Sequence, residues 1–390
     1  MFSTTQKIGI LGGGQLGKML CLAAADWDLK TFVLDTSPDF PAGQVCTGFT
    51  PGDFKNYDDV LAFGRDMDVL TIEIEHVNTD ALRELERLGK TVYPSARALD
   101  LIKDKGLQKT FYRENDIPMT AFELFDNEQS LKKAVEEGRW RLPLVQKTRT
   151  AGYDGKGVAI LRTPDDLNSK LLPGPCLAEE LAPIRTELAV IAARNARDEV
   201  TVFPPVEMDF HPEANLVEFL LCPARVSPLV LAEAEALAER VIRAFDTCGL
   251  LAVEMFLTTD GQLLVNEVAP RPHNSGHHTI DSAPTSQYQQ HLRAICDLPL
   301  GATEQLMPAV MLNLLGEPGH KGPVYYEGVE TCLALGGVHI HLYGKALTSP
   351  FRKMGHVTIT ADTTEEAIEK AQTVKNCLKV LSLDKQASQI

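Results

Sequence analysis

No two of the eight cysteines spread along these 390 residues stand in C-x-x-C spacing. Neither a zinc ribbon nor a thioredoxin-like redox motif is therefore signalled. The scattered thiols read as mostly buried side chains of a reduced, cytosolic chain. Long apolar runs are also missing. No stretch has the length to cross a bilayer, and the opening MFSTTQKIGI runs into a strand without the apolar core of a signal peptide. Positive charge is in short supply: 38 Lys and Arg face 53 Asp and Glu, a formal net charge of −15. Such a field repels a nucleic-acid backbone, so an anionic substrate would need a local basic pocket. Internal repeats and low-complexity segments are absent too.

What is present is ordinary globular material. Hydrophobic residues make up 44% and charged residues 23%, enough for a large core and roughly two or three domains. Residues 7 to about 100 alternate short apolar runs (KIGILG, KTFVLD, DVLTIEIE) with periodic segments, Leu16 to Ala25 and Asp80 to Leu88, which predicts a parallel sheet with crossover helices. The stretch YPSARALDLIKDKGLQKTFYREN reads as a linker entering one long helix, stopped at Asp116-Ile-Pro118. A smaller unit with strands LPLVQK, VAILR and CLAEEL follows from Pro118 to about Leu188, then strands from ELAVIAAR to VEFLLCP. Ala234, Leu237, Ala238, Val241, Ile242 and Phe245 recur at helical spacing. Beyond Leu300 come short strands, MLNLLG, ETCLALG and HIHLYGK, and a last helix near Thr364 to Leu378.

Four stretches carry chemistry. KIGILGGGQLGKML sets Gly12, Gly14 and Gly17 in G-x-G-x-x-G order, with Asp35 about where a dinucleotide fold keeps its ribose-binding acid, so an NAD enzyme is one reading. In LLAVEMFLTTDGQLLVNEVAP, Asp260-Gly261 signals a two-residue hairpin turn. With Thr259 opposite Gln262, Glu254 falls opposite Glu267. Like charges so opposed are destabilising; a divalent cation would compensate, since magnesium takes one or two carboxylates plus phosphate oxygens and water. Two solvated glutamates on an exposed face would show the same spacing. The neighbouring PRPHNSGHH is dense in polar groups, among them His277 and His278, which read equally well as loop packing. KTRTAGYDGKG offers glycines for close backbone approach and lysines for charge, as a polyphosphate requires, though a hairpin tip would look alike. Glu179, Glu180 and Glu187 punctuate CLAEELAPIRTELAV, as either a ribose-binding edge or a solvated strand end. His211 in DFHPE, taken alone, reads as structural.

In order, GGGQLGKM, KTRTAGYDGKG, NEVAPRPHNSGHHT, SQYQQHLRA, MLNLLG and HLYGK…RKMGH resemble the 5-(carboxyamino)imidazole ribonucleotide synthases of purine biosynthesis, members of the ATP-grasp superfamily. The resemblance covers nearly the whole chain. It implies an α/β chain, α+β in its centre, with a Rossmann-like pre-ATP-grasp domain at 1–103. An ATP-grasp domain at 104–300, with a mobile lid at about 118–188, and a β-rich C-terminal domain at 301–390 would follow. It implies an ATP-dependent ligase acting on bicarbonate and 5-aminoimidazole ribonucleotide, with Mg2+, as a cytoplasmic homodimer that binds neither nucleic acid nor membrane.

The resemblance also implies residue roles. Lys105, Lys147 and the loop Gly152, Tyr153, Asp154, Gly155, Lys156, Gly157 and Val158 would hold the ATP phosphates. Glu179, Glu180, Leu181, Ala182 and Glu187 would take adenine and ribose, with His211 nearby and Asn266 and Glu267 completing that site. Glu254 and Glu267 would bind the metal. Arg271 would hold bicarbonate and the carboxyphosphate intermediate, with His273 and Asn274 as partners. Gly14, Gln15, Leu16, Glu73, Glu75, Tyr153, Arg271, His273, Arg352 and Lys353 would frame the ribonucleotide. On this reading the opening glycines serve the ribonucleotide and bind no NAD. A formate-using ribonucleotide formyltransferase of the same superfamily, an NAD-dependent dehydrogenase and a non-catalytic nucleotide-binding regulator are the alternatives.

Overall fold

The computed structural model describes residues 3–150, 157–210 and 217–383. The first hundred residues build a parallel sheet from β1 (Lys7–Leu11), β2 (Lys30–Asp35), β3 (Gly48–Pro51), β4 (Val69–Ile72) and β5 (Thr91–Val92), in the order β3-β2-β1-β4-β5. Helices α1 (Gln15–Ala25), α2 (Tyr57–Arg65) and α3 (Thr79–Arg87) make the crossovers. Asn56 and Asn78 start α2 and α3 by accepting from backbone N–H groups one turn in. The strand order reverses direction at β1 and β4, so the crevice beyond their C-terminal ends is where an open α/β sheet takes ligands. The run DVLTIEIE leaves the sheet after Ile72, which frees Glu73 and Glu75 to face that crevice.

The expected single helix after residue 95 is two: α4 (Ala96–Lys103) and α5 (Lys105–Glu114). Asp104 between them is extended, and its carboxylate accepts from the N–H groups of Gly106 and Leu107. A side chain that caps a new helix so well competes with continuation of the old one, which a periodicity count does not register.

A small unit then folds around a four-stranded sheet of β6 (Phe122–Phe125), β7 (Leu144–Thr148), β8 (Val158–Leu161) and β9 (Cys176–Glu180), ordered β6-β9-β7-β8. Helix α6 (Glu128–Glu136) and the short α7 (Asp166–Ser169) accompany it. The large sheet begins with β10 (Ile184–Arg194), β11 (Val200–Val202), β12 (Val206–Phe210) and β13 (Val217–Cys222). After α8 (Pro228–Phe245) it takes β14 (Gly249–Thr258) and β15 (Leu263–Ala269). The six apolar positions read from periodicity are the buried ones of α8, and they meet Leu188, Val190, Leu251 and Val253 in one core.

Short α9 (Thr279–Ser282) and α10 (Gln287–Ile295) lead to β16 (Ala309–Leu315), β17 (Gly322–Glu327), α11 (Val329–Leu333), β18 (Val338–Leu342), β19 (Leu347–Thr348), β20 (Lys353–Thr360), α12 (Thr364–Cys377) and β21 (Lys379–Ser382). ETCLALG, read as a strand, supplies α11 instead. Gly328, at φ +83, turns the chain into one helical turn that buries Cys332. The large sheet runs β15-β14-β10-β12-β13-β16-β20-β18, with β11 on β10, so it is continuous across residue 300.

Candidate active site

The hairpin β14–β15 sets Glu254 directly opposite Glu267, the pairing expected, but by another route. The turn closes at Thr258 and Gln262, whose backbones bond at 2.9 Å, so the loop is one residue longer than a tight Asp-Gly turn. The register is Leu257 to Leu263 near the turn and shifts between Glu254 and Met255. The extra residue of that bulge is Asn266. A bulge re-aims side chains, and here Asn266 and the adjacent Glu267 both meet lysines. Lys147 Nζ donates to Asn266 Oδ1 at 2.9 Å, and Lys105 Nζ donates to Glu267 Oε2.

Glu187 lies diagonally from Glu254 through the β10–β14 register, so three carboxylates share one face. Their electrostatics differ. For Glu267, burial favours the neutral acid, but Lys105 and then Lys147 outweigh it and hold the carboxyl below the usual range. Burial, then the charges of Glu267 and Glu187, push Glu254 up. Burial raises Glu187 to about 7. His273 Nε2 stands 3.5 Å from Glu254, and its Nδ1 is 2.9 Å from Ser275 Oγ.

Glu179 is placed otherwise than expected. Its carboxylate is 2% exposed and lies 3.2 Å from Lys109 and 3.1 Å from Lys147, with Thr120 Oγ1 donating to it. In this structure its oxygens meet two lysines and a threonine hydroxyl. Glu180 at the end of β9 is exposed, while Leu181 and Ala182 beyond it are half-buried. Lys109 escaped the sequence reading, although it stands four residues after Lys105 and so on the same face of α5.

Arg271 joins the site to the N-terminal crevice. Its Nη2 lies 2.8 Å from Glu75 Oε1, and its Nη1 donates to the carbonyl of Pro272. Asn274 is held against the large sheet. It exchanges two hydrogen bonds with Asn313 on β16, 2.8 and 3.0 Å, so its amide is committed to the sheet. His277 and His278 prove to be packing residues, 1% and 3% exposed. The first sits against Gln287 and Tyr288, the second against Ser282.

The glycine loop is itself occupied. Glu73 accepts from the N–H groups of Gly14 and Gly17 at 2.9 and 3.0 Å, and a Cβ at Gly14 would come within 2.6 Å of its carboxylate. Glu73 thus shapes the loop rather than presenting a free acid. Gln15 is half-buried and Leu16 is 8% exposed. Asp35 accepts from Gly13 N at 2.7 Å. The acid that a dinucleotide fold would offer to ribose is therefore consumed inside the loop, which removes the dehydrogenase reading. At the C-terminal side Arg352 is exposed and donates to Leu347 O, and Lys353 lies close enough to act on Glu254 and His277. Val158 opens β8, and Gly157 stands in the turn just before it. Gly152, Tyr153, Asp154, Gly155, Lys156 and His211 lie outside the described residues.

Two sheets joined through Lys147 and Asn266, and a hairpin of acids met by lysines from β7 and α5, define an ATP-grasp ligase. Residues 110–288 match the ATP-grasp domain family, 5–103 the ribonucleotide synthetase preATP-grasp domain and 309–370 the phosphoribosylaminoimidazole carboxylase C-terminal domain. The chain is 36% identical over 367 residues to the N5-carboxyaminoimidazole ribonucleotide synthase of Bacillus subtilis, 93% of each chain being covered, and it belongs to that family. The N5-carboxyaminoimidazole ribonucleotide synthetase structure from Thermotoga maritima superposes with a TM-score of 0.89 at 40% identity, covering 97% of this chain and all of that one. The Aspergillus clavatus enzyme, in complex with ADP and 5-aminoimidazole ribonucleotide, superposes with a TM-score of 0.87 at 35% identity, covering 96% and 98%. The chain spans 66% of the length of a Candida glabrata relative named phosphoribosylaminoimidazole carboxylase, to which it is 37% identical over 94% of itself.

Proposed function

We propose that this chain carboxylates the amine of 5-aminoimidazole ribonucleotide with bicarbonate at the expense of ATP. The products are N5-carboxyaminoimidazole ribonucleotide, ADP and phosphate. The observation that carries the reading is the in-register pair Glu254 and Glu267, flanked by Lys105, Lys147 and His273, at the head of the loop that holds Arg271.

Bicarbonate is a poor electrophile. Attack of its oxygen on the γ-phosphorus breaks the bond to ADP and forms carboxyphosphate, whose phosphate then leaves. The carbon passes to the amine, directly or as CO2 released beside it. The chain's work is positioning and charge neutralisation. Lys105 and Lys147 draw the phosphates toward Glu267 and Asn266. Arg271, oriented by Glu75, presents a planar fork to the planar anion. His273 lies beside it. Gly14 to Leu16, Glu73 and Glu75 shape one wall of the ribonucleotide pocket, and Arg352 and Lys353 bring positive charge to its phosphate. Glu180 to Ala182, Glu187 and Asn266 line the side for adenine and ribose, while Gly152–Lys156, proposed for the phosphates, and His211, proposed beside the adenine and ribose, lie outside the described residues.

Mg2+ fits the donors present. Two opposed carboxylates, one pushed toward protonation by burial and then by the charge of the other, are the oxygen ligands this ion takes alongside phosphate and water. Bound there, it would neutralise charge on the transferring phosphate. As a cytoplasmic homodimer with three domains near 1–103, 104–300 and 301–390, the enzyme would work as its family implies.

The test is ADP release from Mg-ATP and bicarbonate, with and without 5-aminoimidazole ribonucleotide, and with formate replacing bicarbonate in parallel. Release stimulated by the aminoimidazole nucleotide with bicarbonate is the expected result. Stimulation by formate alone would transfer the chain to the formyltransferase reading.

A further inference from the structure

We propose that Lys109 is a positioning residue for ATP: it is the standing counter-ion of Glu179 that lets Lys147 leave that carboxylate for the phosphates. The inference rests on the role given above to Lys147. Glu179 is 2% exposed, and a carboxylate so placed cannot be left without a cation. In the structure it has two, and its oxygens are divided between them. Oε1 lies 3.2 Å from Lys109 Nζ, while Oε2 lies 3.1 Å from Lys147 Nζ and accepts from Thr120 Oγ1.

The two lysines are not equivalent. Lys147 comes from β7, diagonal to Glu179 across the β7–β9 register. It has a second anchor in Asn266, on the hairpin with the metal-type glutamates. Its ammonium therefore already reaches across the cleft from one sheet to the other. Lys109 comes from α5, is 2% exposed, and lies over the Tyr112 ring at 5.9 Å. Its contact with Glu179 is an ion pair too bent to count as a hydrogen bond, and no other described residue gives it one. It has nowhere else to go. Burial pulls its ammonium down to about 8, with Glu179 the main opposing influence.

A polyphosphate arriving at Asn266 and Glu267 competes with Glu179 for Lys147. If Lys147 moves, Glu179 keeps Lys109 on one oxygen and Thr120 on the other, so no buried charge is stranded. Without Lys109, Lys147 would be the one described cation in direct contact with the buried carboxylate, and nucleotide binding would have to break that pair outright.

The experiment uses the full chain and equilibrium dialysis of Mg-ATP, with steady-state kinetics beside it. Lys109→Met weakens ATP binding about tenfold or more, a factor equal to about 1.4 kcal/mol, and leaves kcat at saturating ATP little changed. Adding Glu179→Gln to it restores binding, because a neutral amide needs no counter-ion. Wild-type affinity in Lys109→Met, or a double variant as weak as the single one, would overturn the proposal. If Lys109→Met does not fold, Glu179→Gln alone decides. With no carboxylate to leave, it binds ATP at least as tightly as the wild type, and weaker binding counts against the idea. Lys147→Met separates this proposal from the reading beneath it. If that variant binds ATP normally, both fall; if it binds weakly while Lys109→Met does not, only the proposal on Lys109 falls.

Discussion

Glu187, Glu254 and Glu267 differ in charge state although they share one face of a sheet, because only Glu267 has a lysine of its own in contact. For Glu187 the consequence is measurable in stability. Its folded value near 7 lies above the ordinary 4.5, so between those values the folded chain keeps a proton that the unfolded chain has lost. Folding then binds more protons, and stability falls as pH rises through that window. Glu187→Gln is expected to raise the melting temperature above that of the wild type near pH 8 and to change it little near pH 4. The gain is of the order of 1–3 kcal/mol at the higher pH; calorimetry at the two pH values reads it. Glu254→Gln relieves the same repulsion, so it should fold at least as well as the wild type. ADP formation should nevertheless drop by about a hundredfold or more, as when one charge-stabilising group is removed from a transition state. A stable, fully active Glu254→Gln would show that the pair does no chemistry.

Among the elements, the junction of α4 and α5 matters most. Asp104 caps α5 and also takes two hydrogen bonds from Arg149, at 3.0 and 2.6 Å, beside the glycine-rich segment. The residue after it is Lys105. Asp104→Ala should cost about 1–2 kcal/mol from the lost cap and raise the KM for ATP. Asp104→Asn keeps a capping oxygen and should recover most of the stability but less of the KM; thermal melts and ATP titrations separate the two effects. Elements whose evidence is local were legible in the sequence. The α8 stripe, the parallel strands and the opposition of Glu254 to Glu267 all follow from short-range spacing. Features that depend on competition between local and distant partners were not. The bulge at Asn266 changes the register without changing which glutamates meet, and Asp104, whose cap breaks the helix, is also held by Arg149 from forty-five residues away. The burial of Glu179 between two lysines and the pairing of Asn274 with Asn313 appear only once separate sheets come together. Glu73 and Asp35 show the same lesson at the glycine loop: the spacing of a dinucleotide site is there, but carboxylates from the chain itself occupy its amides.

At the scale of the whole molecule, ATP is expected to sit between the four-stranded and the large sheet, which Lys147 of β7 already bridges to Asn266, with Lys105 of α5 reaching Glu267 beside it. Filling that gap with a nucleotide should slow amide hydrogen exchange in β7, β8 and β9, while the α8 core, buried either way, should change little. Equal exchange in both states would rule out a closing unit. The large sheet has a consequence for synthesis. Strand β13 bonds on one side to β12 and on the other to β16, which lies after residue 300. Until the ribosome has made the last part of the chain, β13 is a bare edge of buried residues, Leu220, Leu221 and Cys222 among them. Such an edge is a template for pairing with other chains. A chain cut near residue 300 would therefore retain Lys105, Lys147, Glu254 and Glu267 and still expose that edge to aggregation, and it is β16 that shields the nascent protein from its own neighbours.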